Sequence, residues 1–268
     1  IPVNKNISVI ITLYKTPIVM LKRLHQYKKF PLFLFEQEGN VERKREIKKI
    51  LNFDFNYYYS KKNLGLSKSS NFLLGKVNSR FLLFTQPDII IDHKSIIDLI
   101  KIFEKDKNII FVSPNISSKK KKPRIKKVSY VKKINAACMI CDVKKLKKLG
   151  FFDENYFLYW EDIDLMRRVN KMNYKMITAN KIYAKHSSSQ SSENNLKTKF
   201  IRSSNFIYGE LIYDLKYKKL RIVKIFRKII QNMILFFFNI IRFDLKSIII
   251  NLSIIYGVIK FILFLLKK

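Results

Sequence analysis

The sequence predicts an α/β fold: a Rossmann-like, mostly parallel central sheet with helices on both faces, followed by a C-terminal helical appendage. Three observations predict it. Short apolar runs alternate with amphipathic stretches through about residue 112, and strands alternating with helices build a parallel sheet through right-handed crossovers. The 268 residues exceed one domain, at roughly 150 residues each, without reaching two. From about Lys199 the pattern turns into long, very apolar helical stretches.

The strand-like runs are Ile7 to Leu13, Pro31 to Phe35, Phe55 to Tyr59, Phe81 to Thr85 and Ile109 to Val112. Helical periodicity fills Ile18 to Lys28, Val41 to Leu51, Ser67 to Val77 and Ser95 to Phe103. Residues 119 to 133 hold nine basic residues and no acid around Pro123, which reads as an exposed loop. A strand (Ile134 to Cys141) and a short helix (Val143 to Leu149) come next. The acidic cluster Glu161-Asp162-Ile163-Asp164 then opens a helix expected to turn Leu165, Met166, Val169 and Met172 inward. A strand spans Lys181 to Lys185, and Ser187 to Asn195 is polar and loop-like. The expected domains are 1–215, with halves 1–112 and 113–215, and a basic apolar tail at 216–268.

Composition narrows the functions. With 48% hydrophobic residues, 22 Phe and 14 Tyr, the chain is neither disordered nor fibrous. Cys138 and Cys141 have no second pair to complete a zinc site and sit in a run that reads as a buried strand. The net charge of +34 points to an anionic partner, discounted because only 11 of the 54 basic residues are Arg. The first strand follows directly on Pro2-Val3-Asn4-Lys5 without a signal-peptide pattern, which predicts a cytoplasmic location.

In open sheets of this type ligands bind beyond the carboxyl ends of the strands. The informative residues are therefore Thr12-Leu13-Tyr14, Glu36-Gln37-Glu38, Asn63-Leu64-Gly65 and Gln86-Pro87-Asp88.

Several segments, in order from about residue 7 to 190, resemble the family 2 glycosyltransferases of GT-A fold, particularly the rhamnosyltransferase-like members of bacterial polysaccharide assembly. Ile7 to Tyr14 is similar to the family's first strand, and Asn63-Leu64-Gly65 with Asn71 to its NxGxxxxxN segment. Thr85-Gln86-Pro87-Asp88 stands where these enzymes carry an Asn-Pro-Asp variant of a DxD motif. The closest match is Gly150-Phe151-Phe152-Asp153-Glu154 through Trp160-Glu161-Asp162-Ile163-Asp164-Leu165, beside the pattern G-F-D-E-x-F-F-x-Y-x-E-D-x-D-L. Two positions depart from the family: Glu36 replaces the usual Asp, and Gln86 replaces the first polar residue of the DxD-type motif.

The resemblance implies transfer of a sugar from a nucleotide-sugar donor to a hydroxyl of a glycan or lipid-linked acceptor. Thr12, Tyr14, Glu36, Asn63, Gly65, Asn71 and Gln86 would hold the donor. Asp88 would bind Mg or Mn, since a hard cation with oxygen ligands offsets the leaving diphosphate, and His186 would touch the same metal or the diphosphate. Asp162 maps onto the proposed catalytic base, and one base suffices for inversion. Carboxylates at a helix start are also ordinary capping residues, yet three acids in four positions exceed that need. Trp160 and Glu161 are acceptor-binding candidates; Phe152 and Tyr159 beside them fit a sugar platform as readily as a core. Processive synthases of related fold carry Q-x-x-R-W after the base, whereas Trp160 precedes it, so transfer is expected to be non-processive.

From Leu215 to Lys268 there are twelve basic residues and one acid, interleaved with Phe, Ile and Leu. Such a tail fits the anionic inner face of a cell membrane, each basic residue there contributing on the order of 1 kcal/mol. Ile248 to Leu266 approaches the roughly 20 residues of a span but carries Lys260, which favours a helix lying on or dipping into the membrane. A basic nucleic-acid-binding protein is the alternative, and no nucleic-acid partner is expected: Glu161-Asp162-Ile163-Asp164 and the apolar tail would both oppose it.

Overall fold

The computed structural model describes residues 4–117, 126–187, 191–193 and 195–267. In chain order these are β1 (Ile7–Tyr14), α1 (Ile18–Arg23, continued by a 3₁₀ turn), β2 (Leu32–Gln37), α2 (Val41–Leu51), β3 (Asn56–Ser60), α3 (Gly65–Lys76), β4 (Phe81–Thr85), β5 (Ile89–Ile90), α4 (His93–Lys101) and β6 (Ile109–Ser117). Then come β7 (Val128–Val131), β8 (Cys138–Asp142), α5 (Val143–Leu149), α6 (Glu161–Lys171), β9 (Lys175–His186), α7 (Leu196–Lys216), α8 (Ile222–Ile241) and α9 (Leu245–Leu266). The chain separates into two compact units, Ile1–Phe152 with Leu165–Glu193, and Asp153–Asp164 with Asn194–Lys268. Helix α7, on the N-terminal side of the expected 215/216 boundary, groups with the tail helices.

The first unit is built on one mixed sheet of order β3-β2-β1-β4-β8-β6-β9-β5, with β7 paired to β9. Strands β3, β2, β1 and β4 are parallel, as the alternating pattern predicts, whereas β8 runs antiparallel to both β4 and β6. Successive strand residues face opposite sides. Accordingly Ile7, Val9, Ile11 and Leu13 of β1 enter one core with Phe81 and Leu83, while Ile10 enters another with Leu82, Phe84, Leu165, Met166 and Val169. Both faces are thereby buried. Cys138 and Cys141 are free thiols within β8.

Four details depart from the sequence reading. The predicted basic loop lies outside the described residues through 125, but Val128–Val131 forms a strand, because its residues complete a ladder with Met176 to Ala179. Strand β9 begins at Lys175, six residues before the expected start, since β6 and β7 flank it there. Strand β8 begins at Cys138 rather than Ile134. Met172 is 49% exposed, because α6 ends at Lys171 and Met172 no longer follows the helical face of Leu165 and Val169.

The second unit has its own core, formed by Tyr156, Ile207, Tyr208, Leu211, Ile212, Val258 and Phe261. Gly257 permits close approach of α9 to α7, since a Cβ there would run into the Ser204 carbonyl. Lys260 Nζ donates to Asn205 Oδ1 at 2.7 Å and stands 4.4 Å from the Tyr208 ring centre. Lys260 is thus turned toward α7. Helix α9 is long and apolar enough to cross a membrane, with a mean hydropathy of 2.4 over its best window.

Candidate active site

In the first unit, parallel register brings the ends of β1 and β2 side by side, pairing Leu13 with Glu36 and Tyr14 with Gln37. Burial pushes the Glu36 carboxyl up to about 7, against the opposing pull of Arg43. Arg43 Nε lies 3.4 Å from Glu36, while its Nη1 donates to Glu46 and its Nη2 to the Thr16 carbonyl. Gly39 is required beside them: a Cβ would stand 2.7 Å from Glu36 Cγ. Tyr14 is raised by burial and by the Glu38 carboxylate.

The turn into α3 is held by Gln37, whose Nε2 donates to the Gly65 carbonyl and whose Oε1 accepts from Leu64 N, both at 2.8 Å. Asn63 Oδ1 accepts from Gly65 N at 3.0 Å. Gly65 has φ +83°, a conformation that favours glycine. Thr12 Oγ1 meets Ser69 Oγ at 3.0 Å, and Ser69 also donates to the Gly65 carbonyl. Thr12, Asn63 and Gly65 thus converge around one turn. The Asn71 side chain exchanges two hydrogen bonds with the Phe152 backbone, fixing the Gly150–Phe152 turn against α3. Phe152 stacks on Phe151 at 3.9 Å within the core. Sequence reasoning placed Gln37 after its strand without a role and missed Arg43 and Ser69, for which proximity to the strand ends was the available signal.

The turn Gln86-Pro87-Asp88 between β4 and β5 is closed by Ile89 N donating to the Gln86 carbonyl. Asp88 is fully buried, and neither carboxylate oxygen has a hydrogen-bond partner among the described residues. His186 Nε2 lies 3.4 Å from Asp88 Oδ2, brought there by the pairing of Ile89 with His186. A buried carboxylate without donors is costly unless a cation meets it. A divalent cation would fit the pair if other oxygen ligands completed its shell. Among the described residues there is no group of three His, Cys, Asp or Glu close enough to hold a metal without such help.

In the second unit, the chain reaches α6 through Tyr159 (φ 69°) and Trp160 (φ 72°). Two successive bulky residues in the left-handed region cost about 1–3 kcal/mol each. The three acids that follow have different surroundings. Asp164 is fully buried, 2.7 Å from Lys216 Nζ and accepting from the Tyr217 hydroxyl at 2.8 Å. Lys216 also reaches Asp153 at 2.6 Å. Glu161 is buried, its Oε2 has no hydrogen-bond partner among the described residues, and burial followed by the Asp162 charge pushes it up to about 8. Burial thus favours the neutral form of Glu161 and makes it a poorer base than an exposed carboxylate. Asp162 is half-buried and accepts from Ile163 N at 2.9 Å. Trp160 packs near Phe206 and Tyr213.

No protein-family model and no curated protein sequence matches the chain. The chain has the GT-A fold, shared with solved glycosyltransferase structures. A mannosyltransferase from Pyrobaculum calidifontis in complex with GDP-Man and Mn²⁺ aligns with 14% identity, TM-score 0.58, over 78% of this chain and 64% of its own. GalNAc-T7 with UDP, GalNAc and Mn²⁺ aligns with 12% identity, TM-score 0.58, over 71% and 44%. TarS 1–349 of S. aureus with UDP-GlcNAc aligns with 15% identity, TM-score 0.54, over 77% and 66%. The chain thus spans less than two thirds of the length of each.

Proposed function

We propose that the chain is an inverting, non-processive glycosyltransferase acting in cell-surface polysaccharide assembly. It moves a sugar, rhamnose being the candidate raised by the sequence, from a nucleotide-sugar donor to a hydroxyl of a glycan or lipid-linked acceptor. The observation that carries this reading is the buried, donor-free carboxylate of Asp88 beside His186, in a fold whose solved examples include complexes with nucleotide sugar and Mn²⁺. Bound Mg²⁺ or Mn²⁺, held by Asp88 and His186, would offset the charge of the departing diphosphate. Thr12, Tyr14, Glu36, Asn63, Gly65, Asn71 and Gln86 are assigned to the donor side, Asn71 through the turn it holds. Asp162 takes the acceptor proton as the acceptor oxygen bonds to the anomeric carbon and the bond from that carbon to the diphosphate oxygen breaks. Trp160 and Glu161 are assigned to the acceptor side.

The tail supports attachment to the anionic inner face of the membrane. Phe226, Ile230, Ile234, Phe237 and Ile241 form an exposed stripe along α8, and Leu252, Tyr256, Ile259, Leu263 and Leu266 another along α9. The uncharged part of α8, Ile229 to Ile241, is too short to span, so the pair is read as lying in the interface.

A thermal-shift series with UDP-, GDP-, dTDP- and CMP-sugars, with and without Mn²⁺, tests the function. Stabilisation by one nucleotide class that needs the metal and vanishes in Asp88→Asn is expected. No stabilisation by any of the four would end the reading.

A further inference from the structure

Helix interiors disfavour glycine, so Gly209 in the middle of the 21-residue α7 needs a local reason. A Cβ at Gly209 would stand 2.9 Å from the Tyr159 carbonyl oxygen and 3.0 Å from Trp160 Cδ1. The first is a backbone atom, which cannot withdraw without turning the peptide. Gly75 of α3 is the contrast, with nothing within 4 Å of its Cβ position. The residues pressed against Gly209 are the two consecutive left-handed ones, Tyr159 and Trp160. Side chains at both positions oppose that conformation, so it persists only where surrounding contacts impose it.

The same turn starts α6. The Trp160 carbonyl accepts from Asp164 N at 2.9 Å, the first hydrogen bond of the helix turn that carries Glu161 and Asp162. Moving the Trp160 peptide therefore moves the frame of Asp162. Phe206, almost one helical turn before Gly209, lies 5.8 Å from both the Tyr159 and Trp160 rings and closes the seat from the side.

We propose that Gly209 is a positioning residue for Asp162: the absence of a side chain makes the seat that holds the left-handed Tyr159–Trp160 turn and so sets the start of α6. The proposal rests on the reading of Asp162 as the base, and the test separates the two. Trp160 is the sole tryptophan of the chain, so emission excited in the indole band, beyond tyrosine absorption, reports on this turn alone.

Gly209→Ala should shift the Trp160 emission maximum and lower hydrolysis of the stabilising nucleotide sugar, with water in the acceptor's place, at least tenfold in kcat. Nucleotide affinity and KM for the donor should stay within about twofold, and Gly75→Ala should leave emission and kcat unchanged. Unchanged emission and kcat in Gly209→Ala would overturn the proposal. So would a kcat loss matched by loss of folded protein, with the folded fraction fully active. Should Gly209→Ala fail to fold, the half-exposed Phe206→Leu decides: shifted emission with reduced kcat supports the seat, and neither change overturns it. Emission that shifts in either variant at parental kcat would overturn the link to Asp162 while leaving the seat intact. A parent chain that hydrolyses no donor would end the functional reading and with it the link to Asp162, and the emission arm would still decide the seat.

Discussion

His186 Nε2 lies 3.4 Å from Asp88 Oδ2, although 98 residues separate them in sequence, because the two-residue strand β5 pairs antiparallel with the end of β9. The Asp88 carbonyl also accepts from Ser187 N at 3.1 Å, which fixes both chain segments at that point.

Asp88→Asn should raise the Kd for nucleotide in the presence of Mn²⁺ at least tenfold, about 1.4 kcal/mol, since it removes the charge that best holds a hard cation. Without metal the same variant should melt no lower than the parent, because it relieves a buried carboxylate that lacks donors. Calorimetry with and without Mn²⁺, beside melting scans, checks both; a metal dependence equal to the parent's would refute the role.

Asp162→Asn should lower turnover by roughly 10²- to 10⁴-fold while donor affinity and melting temperature change little. Glu161→Gln should retain far more activity, since burial favours the neutral form of that carboxyl. Initial rates at saturating donor, with nucleotide binding on the same preparations, make the comparison. An Asp162→Asn rate within about threefold of the parent, small beside the general-base scale, would rule out the base.

Stability should fall as pH rises from about 4.5 to 8. Glu161 keeps its proton up to about 8 and Glu36 up to about 7 in the native state, whereas either carboxyl ionises near pH 4.3, roughly, when unfolded. Over that window the native state binds more protons, so the stabilising contribution is full below the unfolded value and lost as pH passes the native one. Melting temperatures across this range should show the decline, and Glu161→Gln should remove its upper part. A parent profile flat from 5 to 8 would contradict the sign.

Lys216→Met removes the cation shared by the buried Asp164 and by Asp153, and should destabilise the protein by about 3 kcal/mol. Urea unfolding of parent and variant measures it; a difference under about 1 kcal/mol, the scale of an exposed pair, would show that the link carries little.

Phe237→Glu with Phe243→Glu should abolish co-sedimentation with anionic vesicles without changing the melting temperature, since the two side chains are 60% and 90% exposed. Undiminished sedimentation would direct attention away from the α8–α9 surface. Truncation near Leu220 is a poor substitute, because it strips Val258 and Phe261 from the α7 core.

Local pattern decided much of the fold. Apolar alternation marked β1 and β4 because each strand presents residues to two cores, and the caps of α2 and α5, Asn40 and Asp142, lie beside the residues they serve. The acidic run at Glu161 was equally visible, being contiguous. The tail was legible as apolar and basic, yet Lys224 and Lys228 are paired with Glu210 and Asp214 of α7, so fewer charges face outward than the sequence implies.

What the sequence by itself determined is the order of strands and helices and the amphipathic tail, because each is written in neighbouring residues at a helical or strand period; Asp88 and Asp162 came forward as candidates through the family resemblance. Only the tertiary structure decided the 3.4 Å approach of His186 to Asp88, which the resemblance had named for one metal, and that Arg43 meets Glu36 and Gly209 seats Tyr159 and Trp160. Those pairings depend on strand register and on close helix approach, and neither leaves a local signature: a glycine in a helix or a histidine at a strand end acquires its role from whatever the rest of the chain folds against it.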